Sequence, residues 1–126
     1  MLFDTDVIIW ALRGSAKAAS VIDKEPQRFI SAITYMELLR GSRNKQDQKS
    51  IKAFLYDISI ELLPITDNIS HRAVIYMEEY SLKNGLDLAD ALIASTAAEN
   101  SLHLCTSNVK HYKVIAEIEL YTFKPS

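Results

Sequence analysis

Short apolar runs alternate along this chain with stretches of helical period. MLF at the N-terminus gives way to helix-patterned residues from about Thr5 to Leu12. RFISA (28–32) is followed by TYMELLRGS and a second amphipathic run, DQKSIKAFLYDI, and IELLPI (60–65) by NISHRAVIYMEEYSLKNG and DLADALIASTAAENS. LHLCT (102–106) and a final IELYTF complete the series. Short strands separated by helices predict parallel βαβ units, and so an α/β chain in three α/β/α layers with a central, mainly parallel sheet. No linker, repeat or low-complexity segment divides residues 1–126, which read as one domain.

The punctuation agrees with this division. Gly41 and Gly85 stand where helices should stop, and Asn68 and Asp87 where helices should start. Thr34 and Glu37 have capping-box spacing, in which the hydroxyl meets the N3 amide and the carboxylate returns to the cap amide. Asp90, in the first turn after Asp87, is favoured by the helix dipole.

Composition narrows the class. With 48% hydrophobic and 24% charged residues in 126, the chain can bury a core without staples. The single cysteine, Cys105, excludes an internal disulfide and a multi-thiolate metal site, which suits a reducing cytosol. The N-terminus has no basic lead, and Val7 to Leu12 is far too short to cross a bilayer, so a cytoplasmic protein is expected. A formal charge of −2 gives no global positive field, so any nucleic-acid binding must be local or cation-mediated.

The candidate chemistry lies in the acids. In an open parallel sheet, sites form beyond the carboxyl ends of the strands. Asp4 follows the first predicted strand, Glu37 comes soon after the second, Asp90 opens a late helix, and Asn108 follows LHLCT. Each acid alone has an ordinary explanation as a helix-start residue. Gathered together, three carboxylates repel one another unless a cation sits among them. Hard cations such as Mg²⁺ and Mn²⁺ suit such oxygen donors, whereas His71, His103 and His111 show no zinc-ligand spacing with Cys105.

The segments LFDTDVIIWALRG, ISAITYMELLRGS and DLADALIASTAAENSLHLCTSNVKHY resemble, in order and interval, the motifs of PIN-domain ribonucleases, and specifically the toxins of VapBC-type toxin–antitoxin pairs. The resemblance runs over nearly the whole chain. It implies that Asp4, Glu37 and Asp90 are the catalytic acids, with Mg²⁺ or Mn²⁺ held by Asp4 and Asp90 and by Glu37 directly or through water. Asp6, where relatives often have Asn, and Asp87, Thr106 and Asn108 would support them. Asn108 replaces a fourth acid found in some relatives; it offers a carbonyl oxygen but cannot act as a base.

The expected reaction is hydrolysis of RNA by a metal-activated water, leaving a 3′-hydroxyl and a 5′-phosphate. From Arg40 to Lys52, the residues Arg40, Arg43, Lys45, Lys49 and Lys52 against Asp47 leave a local excess of four positive charges, a candidate RNA contact that Lys110 and Lys113 could extend, with His111 close enough to Asn108 to touch a substrate phosphate. The resemblance further implies a cognate antitoxin, and a homodimer or toxin–antitoxin hetero-oligomer. Trp10, Tyr35, Met36, Leu39 and Phe54 could line the antitoxin's groove. Two alternatives stay open: a PIN-like fold that binds RNA or a partner without cutting, and a haloacid-dehalogenase-like phosphatase with Asp4 as nucleophile.

Overall fold

The computed structural model describes residues 1–125; the last residue of the expected domain, Ser126, lies outside them. Five strands form the sheet: β1 (Leu2–Phe3), β2 (Phe29–Ser31), β3 (Glu61–Leu63), β4 (Leu104–Thr106) and β5 (Leu120–Thr122). Their order is β3-β2-β1-β4-β5, and every pairing is parallel. Leu2 registers with Phe29 on one side and Leu104 on the other, which makes β1 the central strand. From β1 the chain winds outward first to β2 and β3, then returns to build β4 and β5 on the opposite side. The topology therefore switches direction beside β1, and the strand ends there are splayed by helices leaving to opposite faces.

Among the described residues, seven helices cover the sheet: α1 (Thr5–Leu12), α2 (Ala16–Asp23), α3 (Ala32–Arg40), α4 (Lys45–Asp57), α5 (Asp67–Asn84), α6 (Leu88–Glu99) and the short α7 (Val109–Tyr112). Alternation along the strands divides the core into two apolar clusters. Leu2 and Leu104 face one side with Ala91, Ala94 and Ala97 of α6 and Tyr112 of α7. Phe3, Cys105 and Ile30 face the other with Val7 and Ile8 of α1, Ala18 and Ile22 of α2, and Leu55 of α4. Small residues along α6 let it lie close under α5, where the Ser95 hydroxyl donates to the Ile69 carbonyl at 2.7 Å.

The expected strands and long helices are all present. Helix α2 falls in a segment for which the sequence pattern gave no element; Ser15 caps it by accepting from the Ala18 N–H. Two cap assignments change. Thr66, not Asn68, caps α5, and Asn68 lies inside its first turn. The Thr34–Glu37 capping box does not form, because β2 runs directly into α3 and Ser31 caps it by accepting from the Ile33 N–H at 3.2 Å. Thr34 and Glu37 are thereby left inside the helix, with their side chains free for other partners. Gly85 ends α5 in the left-handed conformation, φ 67°, which a glycine adopts without steric cost.

Candidate active site

Asp4 stands at the carboxyl end of the central strand and caps α1. One carboxylate oxygen, Oδ1, accepts from the Thr5 N–H at 2.8 Å, and the other, Oδ2, accepts from the Thr106 hydroxyl at 2.8 Å. The residue is only 5% exposed. Burial first, and then the Asp6 carboxylate, push its acid up to about 7; the Thr106 and Thr5 hydrogen bonds oppose the rise, and Asp90 adds to it. A metal-free Asp4 is thus poised between protonation states near neutrality, the condition a nearby positive charge would resolve.

Asp90 reaches the same place from the first turn of α6. Its Oδ1 accepts from the Tyr112 hydroxyl at 3.0 Å, and its Oδ2 lies 3.3 Å from His111 Nδ1. Burial raises its acid as well, with the Asp87 and Glu37 carboxylates adding to the rise and Tyr112 and His111 holding it back. Asp87 occupies the cap position of α6 but makes no capping hydrogen bond with its side chain. Glu37 completes the group from α3. The Thr5 hydroxyl donates to its Oε1 at 2.7 Å and is also hydrogen-bonded to Thr34 Oγ1 at 3.0 Å, while Arg40 Nη2 stands 3.8 Å from its Oε2.

The remaining expected residues divide by role. Asp6 accepts from the Ser107 N–H at 2.9 Å and from the Ser107 hydroxyl, with Asn108 Nδ2 at 3.4 Å, so its second oxygen fastens the loop after β4 to the start of α1. Thr106 is fully buried and its hydroxyl, besides donating to Asp4, accepts from the Asn108 N–H at 2.9 Å. Four residues on this rim carry no signal in the apolar pattern: Thr5, Thr34, Ser107 and Tyr112. Each is polar and adjacent in sequence or helical turn to a candidate acid or to Asn108, which was the available hint.

The basic segment is exposed at Arg40, Arg43, Lys45, Lys49 and Lys52, but Arg43 is engaged by Asp47, with Nε 2.9 Å from Oδ2. Lys110 is exposed on α7, and His111 is turned toward Asp90. Of the five expected groove residues, Phe54 lines an open apolar cavity of about 480 Å³ with Ala11, Ala19, Ile22 and Ile58. Trp10 and Met36 are 39% and 53% exposed, and Tyr35 packs against the core cluster beneath α1. Trp10, Tyr35, Met36 and Leu39 do not line that cavity.

The donors that face one another here are oxygens: Asp4, Asp90 and Glu37, with hydroxyls behind them. Among the described residues, no three His, Cys, Asp or Glu side chains close on one point as a compact metal cage. An open oxygen rim fits Mg²⁺ or Mn²⁺, which take one or two carboxylates and keep several waters. Zinc fits poorly, since His103 is paired with Glu119 at 2.6 Å and His71 lies on α5. Cys105, buried in β4, has its thiol pushed up to about 12 by burial and by Asp6 and Asp4, so it stays protonated and inert.

The PIN domain family matches residues 1–117, and the chain belongs to that family. It is 31% identical over 123 residues to ribonuclease VapC10 of Mycobacterium tuberculosis, covering 94% of this chain and 90% of that one. It is 30% identical over 128 residues to ribonuclease VapC1 of Rickettsia felis, covering 97% and 95%. Among solved structures, a toxin–antitoxin complex from Klebsiella pneumoniae contains a chain that superposes with a TM-score of 0.79 at 28% identity, over 99% of this chain and 97% of that chain. Membership in this family replaces the dehalogenase-like reading of Asp4 as a nucleophile.

Proposed function

We propose that the protein is a Mg²⁺- or Mn²⁺-dependent endoribonuclease, the toxin of a toxin–antitoxin pair, acting in the cytoplasm and neutralised by a cognate antitoxin in a hetero-oligomer. The reading is supported by Asp4, buried at the central strand end, lying close enough to Asp90 to feel its charge, and by Asp90 in turn feeling that of Glu37. Buried like charges cost stability without a counter-charge, so their convergence is explained by a cation. The ribonuclease relatives and the toxin–antitoxin neighbour supply the substrate class and the partner.

In this reading Asp4 and Asp90 hold the cation, and Glu37, directly or through water, completes its surroundings. When bound, the cation supplies Lewis acidity at the scissile phosphate and lowers the pKa of the attacking water. With Oε1 held by the Thr5 hydroxyl, Glu37 would have Oε2 available to orient the attacking water and accept its proton. Thr106 and Thr5 hold Asp4 in one rotamer, so that the carboxylate needs no reorganisation when substrate arrives. Asp6, through Ser107, fixes the loop that presents Asn108 toward the substrate phosphate. Arg40 and Lys45 on the exposed segment contact the RNA backbone, positioning it without reading its sequence.

The test is cleavage of a mixed RNA pool by antitoxin-free protein with Mg²⁺ or Mn²⁺, with EDTA, and with Asp90→Asn. Cation-dependent cutting that the variant loses supports the reading. Metal binding without cutting in any RNA pool favours a PIN fold that binds RNA or a partner without hydrolysing it.

A further inference from the structure

Tyr112 is fully buried, the largest side chain so enclosed among the described residues, and its hydroxyl lies against Asp90. The ring packs in the cluster that contains Leu2, Ala91, Ala94 and Leu104, where a phenylalanine would satisfy every apolar contact. A buried hydroxyl costs stability unless it finds a partner. Here it donates to Asp90 Oδ1 at 3.0 Å with Asp4 beside it, while the preceding residue, His111, addresses Asp90 Oδ2 through Nδ1 at 3.3 Å. Helix α7 thus sets a hydroxyl donor and an imidazole nitrogen against the two oxygens of a single carboxylate.

We propose that Tyr112 is a positioning residue for the cation site: its hydroxyl fixes the rotation of the Asp90 carboxylate, so that Asp90 would be offered to the cation in one orientation. Outer partners of this kind orient metal ligands and tune affinity. The ring's enclosure supplies the rigidity, because the hydroxyl cannot swing away without displacing core side chains. His111, half-exposed, restrains the second oxygen more loosely. The inference rests on the reading of Asp90 as a cation ligand.

The experiment titrates Mn²⁺ into wild-type protein and Tyr112→Phe, following the free-ion signal by electron paramagnetic resonance, with thermal unfolding in EDTA alongside. Tyr112→Phe keeps the ring and is expected to bind Mn²⁺ about tenfold more weakly, with little change in the metal-free unfolding temperature. The exposed-side variant His111→Ala, which leaves the core intact, is expected to weaken Mn²⁺ by a smaller factor. Unchanged Mn²⁺ affinity in Tyr112→Phe, with a lowered unfolding temperature, would mean that the hydroxyl serves the core alone and would overturn the inference. If Tyr112→Phe does not fold, 3-fluorotyrosine at position 112, which keeps the ring and hydroxyl but makes the hydroxyl a stronger donor to Asp90, is titrated instead, and an Mn²⁺ affinity equal to that of the wild type overturns the inference. Wild-type protein that binds no Mn²⁺ overturns both this inference and the cation reading beneath it, whereas binding by wild type and equal binding by Tyr112→Phe overturns this one alone.

Discussion

The Thr106 hydroxyl links Asp4 to the loop after β4: it donates to Asp4 Oδ2 at 2.8 Å and accepts from the Asn108 N–H at 2.9 Å. A single buried hydroxyl therefore serves the carboxylate at the end of the central strand and the backbone that carries Asn108. Thr106→Val keeps the shape and removes both bonds. The expected cost is about 1–3 kcal/mol of stability, the range for stranding buried polar partners. Urea unfolding at pH 8, where Asp4 is ionised, should show the larger loss, and at pH 5 the smaller.

Acid should stabilise the metal-free protein through Asp4. Burial, and then the Asp6 carboxylate, push its carboxyl up to about 7 in the folded chain, from the usual 3.8. The folded state then binds the proton more tightly, so this group's contribution is fully present below the unfolded value and is lost as pH rises through about 7. Burial shifts Asp90 in the same direction. In EDTA, unfolding temperature should fall between pH 5 and pH 8, and Asp4→Asn should flatten that fall. Added Mg²⁺ should raise the unfolding temperature most at the alkaline end, where both carboxylates are charged.

Thr5 and Glu37 should behave as one unit. Glu37→Gln removes a proton acceptor and is expected to lower kcat by about 10²-fold or more. Thr5→Val removes the donor that holds Glu37 Oε1 and should lower kcat less, with Mn²⁺ affinity nearly unchanged. In a double-mutant cycle the two effects should be less than additive, since both act on the same carboxylate.

RNA binding should depend on salt through the exposed basic segment. In the Asp90→Asn background, Lys45→Ala should weaken RNA binding and reduce the slope of log K against log salt by about 0.7–0.9. Arg43→Ala should do less, because Asp47 already holds its guanidinium.

The acids were legible in the sequence because each stands at a change of pattern, where an apolar strand ends or a helix opens. Asp4 after MLF and Asp90 after the Gly85 stop could be placed at one sheet edge from topology alone. Helix α2 was not legible, because Ala16–Asp23 is short and rich in alanine, with Ser15 its only signal. The Thr34–Glu37 spacing imitates a capping box, and only the direct passage of β2 into α3 shows that Ser31 takes the cap. Thr5, Ser107 and Tyr112 were hidden for a different reason. Their partners lie in other elements, and the 102-residue separation of Asp4 and Thr106 shows how far the chain returns to complete the site.

The most direct measurement is the end chemistry of RNA cut by purified protein in Mn²⁺, read by ligation-based mapping before and after phosphatase treatment. Hydrolysis by a cation-activated water predicts 5′-phosphate and 3′-hydroxyl ends and complete loss of cutting in EDTA. Cutting that persists in EDTA and leaves 2′,3′-cyclic phosphates would contradict the cation site built on Asp4, Glu37 and Asp90.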